Sequence, residues 1–456
     1  MTAPDPQELQ SELDRLVNEL DVPGAMAGVL LDGKEARAYT GVTSVTNPLA
    51  VDEETLFQFG STGKTFTATA LVVLQEQGRV DLSAPVRTYV PELVLQDESV
   101  AEQVTVLQLL NHTAGWEGDG RENDDVSDTA LAQFVAGMAK LQQVTPLGAT
   151  VSYNNASLSL AGRVVEKVTG QTFEDALRTL VLDPLGLDDT LFIVRDMDAI
   201  MRRRFSVGHA VIDGKQKVSG PWALPRSGTP AGGMASTLAD QLAWARFHLS
   251  KGAPVLSAAA LRQMQEPTAE MKGSALGDAV GMSWLLKDLG GTRLVSHGGT
   301  MIGQYSDFVL VPEHAFGVTS LSNSGPGGPQ LNHLLTKWAL ERYCGIVERP
   351  PVPRQITRDE LEQYAGSYET IAVNAEITHH EGLLLVQVSM KPGALGGEVD
   401  PRPQPPILLA MTEGDRYVVP EGAATGMTGY FSRSADGSID GVHLGGRLAT
   451  RVPASA

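Results

Sequence analysis

Phe57-Gln58-Phe59-Gly60-Ser61-Thr62-Gly63-Lys64-Thr65-Phe66 runs directly into Thr67-Ala68-Thr69-Ala70-Leu71-Val72-Val73-Leu74. The second stretch is apolar on nearly every side, which predicts a buried helix that Gly78 closes. The first places a serine and a lysine three residues apart at the mouth of that helix. Such residues share a face, so the Lys64 amine comes within reach of the Ser61 hydroxyl. Ser61 is expected in the first turn, where unpaired amides and the positive end of the helix dipole favour an oxyanion. A lysine desolvated there is able to take a proton from a hydroxyl. No other lysine in the chain has a serine three positions before it.

Gly63-Lys64-Thr65 also spells the end of a phosphate-binding loop, but that pattern needs a glycine where Gln58 stands. Nucleotide binding is therefore the weaker reading of the same letters. Two further stretches carry chemistry. Val151-Ser152-Tyr153-Asn154-Asn155-Ala156 precedes a helix expected from Ser157 to Gly170, and puts a phenol and an amide two residues apart. Taken alone, Tyr153 would be a half-buried aromatic and Asn155 a helix cap. Ser296-His297-Gly298-Gly299-Thr300 is expected to expose a histidine at a strand edge, with glycines that let backbone approach closely.

Working outward, Ala25–Leu31 and Glu35–Gly41 flank Asp32-Gly33-Lys34 and read as a β-hairpin. From about Asp81 to Ser250 the pattern is mainly helical. Strands return at Leu294–Ser296, Tyr305–Val311 and Phe316–Ser322, so distant segments are expected to close one sheet with a helical lobe beside it. A helix near Gln330 to Tyr343 ends this unit, and Glu348-Arg349-Pro350-Pro351-Val352-Pro353-Arg354 reads as a stiff linker. After a short helix at Asp359 to Tyr364, strands alternate with turns such as Glu381-Gly382 and Ala435-Asp436-Gly437, suggesting a small antiparallel barrel or sandwich without a catalytic constellation. His379-His380 would face opposite sides of a strand, with no further ligand spacing to support a metal.

The 456 residues allow a large domain plus a smaller one, and the formal net charge of -19 argues against nucleic acid or an anionic membrane as partner. Glu117, Asp119, Glu122, Asp124 and Asp125 read as an acidic loop that would repel anionic substrates if it lies at a site entrance. The single cysteine, Cys344, excludes an intrachain disulfide and is expected to be a buried helix residue. The N-terminus shows neither the basic nor the apolar region of a signal peptide, so a cytoplasmic location is expected, or a periplasmic or secreted one if a leader has been removed.

Ser61-x-x-Lys64, Tyr153-x-Asn155 and His297-x-Gly299, in that order, resemble the penicillin-recognising serine hydrolases, in particular the class C β-lactamase-like branch with its D-amino-acid peptidases and esterases. Leu109–Gly115, Pro184–Leu187 and Ala231–Thr237 fit the same family. The resemblance implies an α/β (α+β) domain, an antiparallel sheet flanked by helices plus a helical lobe, over residues 1–346. A linker at 347–355 and an all-β antiparallel barrel at 356–456, similar to a lipocalin, would follow. It further implies Ser61 as acylated nucleophile, Lys64 and Tyr153 as the proton-shuttling pair, and Asn155 as a substrate hydrogen-bonder. Gly299 and the amides of Ser61 and Thr300 would shape the oxyanion hole, His297 would stand where β-lactamases carry lysine, and His112 would be a structural support. No cofactor or metal is implied. The expected substrate is a small ester, amide or peptide, with β-lactamase activity and a slowly turning over penicillin sensor as open alternatives, and self-association also open.

Overall fold

A computed structural model describes residues 3–119, 125–250, 252, 254–391, 405–422 and 424–453. Gly24–Leu31 and Lys34–Gly41 form the expected hairpin, with Leu31 opposite Lys34 across Asp32-Gly33. Both turn residues have positive φ, 48° and 78°, as a tight two-residue turn of this hand requires. The sheet then extends from Gly24–Leu31 through Phe316–Ser322, Gln304–Val311 and Thr292–Ser296 to Leu285–Leu289, Gly277–Val280 and Ala269–Ser274, antiparallel throughout.

Period-two alternation divides this sheet between two cores. Ala25, Ala27, Val29 and Leu31 pack with Leu9, Leu13, Leu331 and Leu335 of the helices Pro6–Glu19 and Gly327–Ala339. Met26 and Leu30 face the other way, into the large core that holds the Ser61 helix, Lys64–Glu76, and the helix Leu238–Leu249. Every residue from Lys64 to Leu74 is buried, as the apolar run implied.

Three strands precede Leu294, where the sequence suggested none. Their alternation is broken by a register shift between Glu270 and Ser274, where Lys272 and Gly273 both have positive φ. The middle of the chain is not helical throughout either. Leu191–Phe192, Met234–Ser236, His209–Ile212 and Lys215–Val218 are short strands, and Met234–Ser236 pairs with Phe57–Gln58 directly before the serine. Cys344 ends a wide helical turn, Leu340–Cys344, and is only half-buried; burial still pushes its thiol up to about 12.

The C-terminal strands Gly366–Glu369, Val373–His380, Leu383–Met390, Ile407–Met411, Arg416–Val418, Thr428–Arg433, Ile439–Leu444 and Arg447–Arg451 close into an eight-stranded antiparallel barrel. Tyr368 pairs with Arg451 to seal it. Its core is filled by Tyr368, Ile377, Leu384, Leu409, Phe431 and Val442 among others. The short helix before it, Arg358–Glu362, starts with a reciprocal cap between Thr357 and Glu360. His379 meets Glu362 at 3.2 Å, and no group of residues suited to a metal occurs among the described residues. No described helix is long and apolar enough to cross a membrane.

Candidate active site

Ser61 sits in a 3-10 turn, Gly60–Gly63, that precedes the α-helix, rather than in the first α-turn. Lys64 is the first α-helical residue and fully buried. Its Nζ donates to Ser61 Oγ at 3.0 Å and to the carbonyl of Ala231 at 2.7 Å. The Ala231–Thr237 stretch thus holds the lysine from behind; Thr67 donates to Pro230 O at 2.7 Å in the same contact. Lys64 is turned into the protein, which excludes the phosphate-loop geometry. Gln58, at the position of the missing glycine, instead donates to Trp222 O.

Tyr153 and His297 complete the cluster. The Tyr153 hydroxyl lies 3.4 Å from His297 Nε2, and the ring centroid is 4.8 Å from Lys64 Nζ. Burial is the main cause of a phenol pKa raised well above the ordinary tyrosine value, so Tyr153 carries its proton at neutral pH. His297 is buried, not exposed at a strand edge as the sequence suggested. Burial, aided by the Lys64 charge, lowers its pKa to about 3. The ring is therefore neutral, and with Nδ1–H donating to Gly298 O at 2.6 Å, Nε2 is left to accept from the phenol.

The glycines around this cluster are dictated by close backbone approach. Gly60 has φ of 51°, and a Cβ there would lie 2.8 Å from the Thr300 amide nitrogen. A Cβ on Gly299 would lie 2.0 Å from Phe59 O. The turn carrying Ser61 is thereby pressed against the Gly299–Met301 strand, which puts the Ser61 and Thr300 backbones side by side. Thr62 Oγ1 fastens the same junction by donating to His297 O at 3.0 Å.

Asn155 is not the helix cap. Asn154 caps Asn155–Thr169, accepting from Ser157 N at 2.8 Å, while Asn155 begins the helix and donates from Nδ2 to Asp119 Oδ1 at 2.7 Å. His112 supports this loop: its Nδ1 accepts from Asn154 N at 3.2 Å and its ring lies 4.6 Å from that of Tyr153. Of the acidic loop, Asp119 reaches the site, while Glu122 and Asp124 lie outside the described residues. Glu117 accepts from Gln142 N, and Asp125 caps the turn at Ser127.

The barrel enters the site of its own chain as well, an orientation that nothing in the sequence fixes. The turn between its last two strands lays Gly446 O against Tyr153 N at 3.0 Å, and Leu448 N donates to Ser152 Oγ at 3.2 Å. Arg447 grips Asp119 at 2.7 and 3.0 Å, with its guanidinium 5.2 Å from the Tyr153 ring centroid. No turn or periodicity signal marks Arg447 as a site residue. A cleft of about 880 Å3 opens beside this junction, lined by Thr150, Tyr430, Phe431 and Leu448 among others, and does not include Ser61, Lys64 or Tyr153.

Penicillin-binding protein 4 of Amycolatopsis lactamdurans is 33% identical over 373 residues, covering 79% of this chain and 96% of the relative. The crystal structure of SurE superposes with a TM-score of 0.78 at 24% identity, over 98% of this chain and 99% of that one. A D-stereospecific amidohydrolase from Streptomyces sp. gives 0.59 at 25% identity, over 75% of this chain and 100% of the other. The family model described as Beta-lactamase matches residues 9–341, the segment that holds Ser61, Lys64, Tyr153 and His297, and the chain therefore belongs to the β-lactamase family of serine hydrolases.

Proposed function

We propose that the chain hydrolyses ester or amide bonds through an acyl-enzyme on Ser61. The observation that carries this reading is the 3.0 Å contact between Ser61 Oγ and the Nζ of the fully buried Lys64, with the Tyr153 ring centroid 4.8 Å from the same amine. With Lys64 in its neutral form and Tyr153 protonated, the coupled pair has one open proton site, and it takes up the Ser61 proton as Oγ attacks the substrate carbonyl. The carbonyl oxygen takes up the negative charge beside the amides of Ser61 and Thr300. As the tetrahedral centre collapses, the bond to the leaving oxygen or nitrogen breaks and the pair returns the proton to it. Water then attacks the acyl group by the same route in reverse and restores Ser61.

His297 favours an esterase or amidase over an efficient β-lactamase. A lysine at that position would hold the carboxylate of a penicillin, whereas the buried, neutral imidazole carries no charge at physiological pH. The bond of Asn155 to Asp119 fixes its side chain, which supports a role in orienting an amide or polar group of the substrate. The 25% identical D-stereospecific amidohydrolase is consistent with amides as substrates.

The test is hydrolysis of p-nitrophenyl butyrate and of nitrocefin by wild type and Ser61→Ala. Steady ester turnover that vanishes in the variant, with little nitrocefin cleavage, is the expected result. Turnover that survives in Ser61→Ala overturns the assignment, and a stoichiometric burst without turnover replaces it with a slow penicillin sensor.

A further inference from the structure

The barrel brings a cation, Arg447, to within 5.2 Å of the Tyr153 ring centroid, and that cation arrives with its own anion. Arg447 Nε and Nη2 meet the two Asp119 oxygens at 2.7 and 3.0 Å, the bidentate geometry in which a guanidinium holds a carboxylate. Asp119 Oδ1 also accepts from Asn155 Nδ2. The pair is within reach of solvent, with 36% of the Arg447 and 19% of the Asp119 side chain exposed. Lys64, by contrast, is fully buried, and His297 is both buried and neutral. Of these three groups, Arg447 is the cation that an acidic group on a substrate entering the site is able to approach, and its guanidinium is occupied.

We propose that Asp119 acts as a resident carboxylate that withholds Arg447 from acidic substrate groups and so makes the site selective for uncharged acyl esters and amides. The idea rests on Ser61 hydrolysis as read above and specifies the substrate class. A substrate carboxylate would have to displace Asp119 from two charge-assisted hydrogen bonds and leave it unpaired beside Asn155, while a neutral acyl chain disturbs neither. An uncharged side chain at position 119 would leave Arg447 open to a carboxylate from solution. A pair that merely clamps the barrel to the catalytic domain would affect neutral and anionic substrates alike, so the ratio of the two separates the roles.

The experiment compares kcat/KM for p-nitrophenyl hydrogen glutarate with that for p-nitrophenyl pentanoate, corrected for spontaneous hydrolysis. The full chain is used as wild type, Asp119→Asn, Arg447→Gln and the double variant, each checked by thermal melting. The glutarate-to-pentanoate ratio is expected to rise about tenfold in Asp119→Asn, to fall in Arg447→Gln where Asp119 stands unpaired, and to return near wild type in the double variant. An unchanged ratio in Asp119→Asn, or a rise that persists without Arg447, overturns the proposal. Should Asp119→Asn fail to fold, the Arg447→Gln ratio decides alone, a fall supporting the resident carboxylate and no change rejecting it. Turnover of both esters that survives in Ser61→Ala would instead remove the hydrolase reading beneath it.

Discussion

Gly446 O accepts the backbone N–H of Tyr153 at 3.0 Å, so the barrel's last hairpin holds the main chain of a residue at the centre of the proposed chemistry. Gly446 has φ of 84°, and a Cβ there would lie 2.2 Å from Leu276 Cδ1. Gly446→Val is expected to push the hairpin off Tyr153 and lower kcat/KM for a neutral ester about tenfold or more, with strain of about 1–3 kcal/mol appearing as a lower Tm. Ester kinetics and thermal melting check both parts; unaltered kinetics would mean that the hairpin does not position Tyr153.

Lys64→Met keeps the buried volume and removes the amine that touches Ser61 Oγ. Acylation should slow by about 10²–10⁴-fold, and Tyr153→Phe should cost within the same range. Because the two groups share one proton inventory, the double variant is expected to lose much less than the product of the single losses. Single-turnover measurements of acyl-enzyme formation are the check, and strictly multiplicative losses would break the coupled-pair mechanism.

His297→Lys tests the neutral position directly. A cation there should raise the ratio of nitrocefin to p-nitrophenyl butyrate turnover by about tenfold, the gain expected for one charge-assisted contact to a carboxylate. Repulsion from Lys64 will lower both rates, so the ratio is the quantity to read. A ratio that stays put would move the origin of substrate preference away from this residue.

His248 packs among Trp244, Phe247 and Trp284, and neither ring nitrogen has a hydrogen-bond partner among the described residues. Burial lowers its pKa to about 3, and that of His297 likewise. Between the unfolded value near 6.5 and about 3 the unfolded chain binds the extra proton, so stability is lost as pH falls through this window. His248→Leu should flatten that dependence by about 1.4 kcal/mol per pH unit within the window. Denaturant titrations from pH 7 to pH 4 measure the slope, and an identical slope in the variant would sink the idea.

The sequence made the parts of the candidate site legible because each is a short-range pattern: a serine and lysine one turn apart, a phenol before a helix, a histidine followed by glycines. The hairpin at Asp32-Gly33 and the buried helix were legible for the same reason. What escaped lies in long-range contact or broken periodicity. The Ala269–Ser274 strand was hidden by the shift at Lys272-Gly273, and His297 looked exposed because its neighbours are small, although Thr62 and Ser306 close over its backbone. Asn154 and Asn155 are equally good caps by composition, and only the pull of Asp119 on the second separates them. The Asp119–Arg447 pair joins residues 328 positions apart, a contact that no window on a single sequence reveals.

The pairing of Gly24–Leu31 with Phe316–Ser322 also governs the order in which the molecule can be assembled. On the ribosome, the first hairpin must wait for roughly 300 further residues before its neighbour in the sheet exists, a closure that contact-order arguments place late in folding. Ser61 and Lys64 are synthesised within that interval, and the hairpin that holds Tyr153 later still. A nascent chain therefore carries Ser61 and Lys64 long before Tyr153 meets the Gly446 hairpin, so the candidate site is complete only once the barrel has been made.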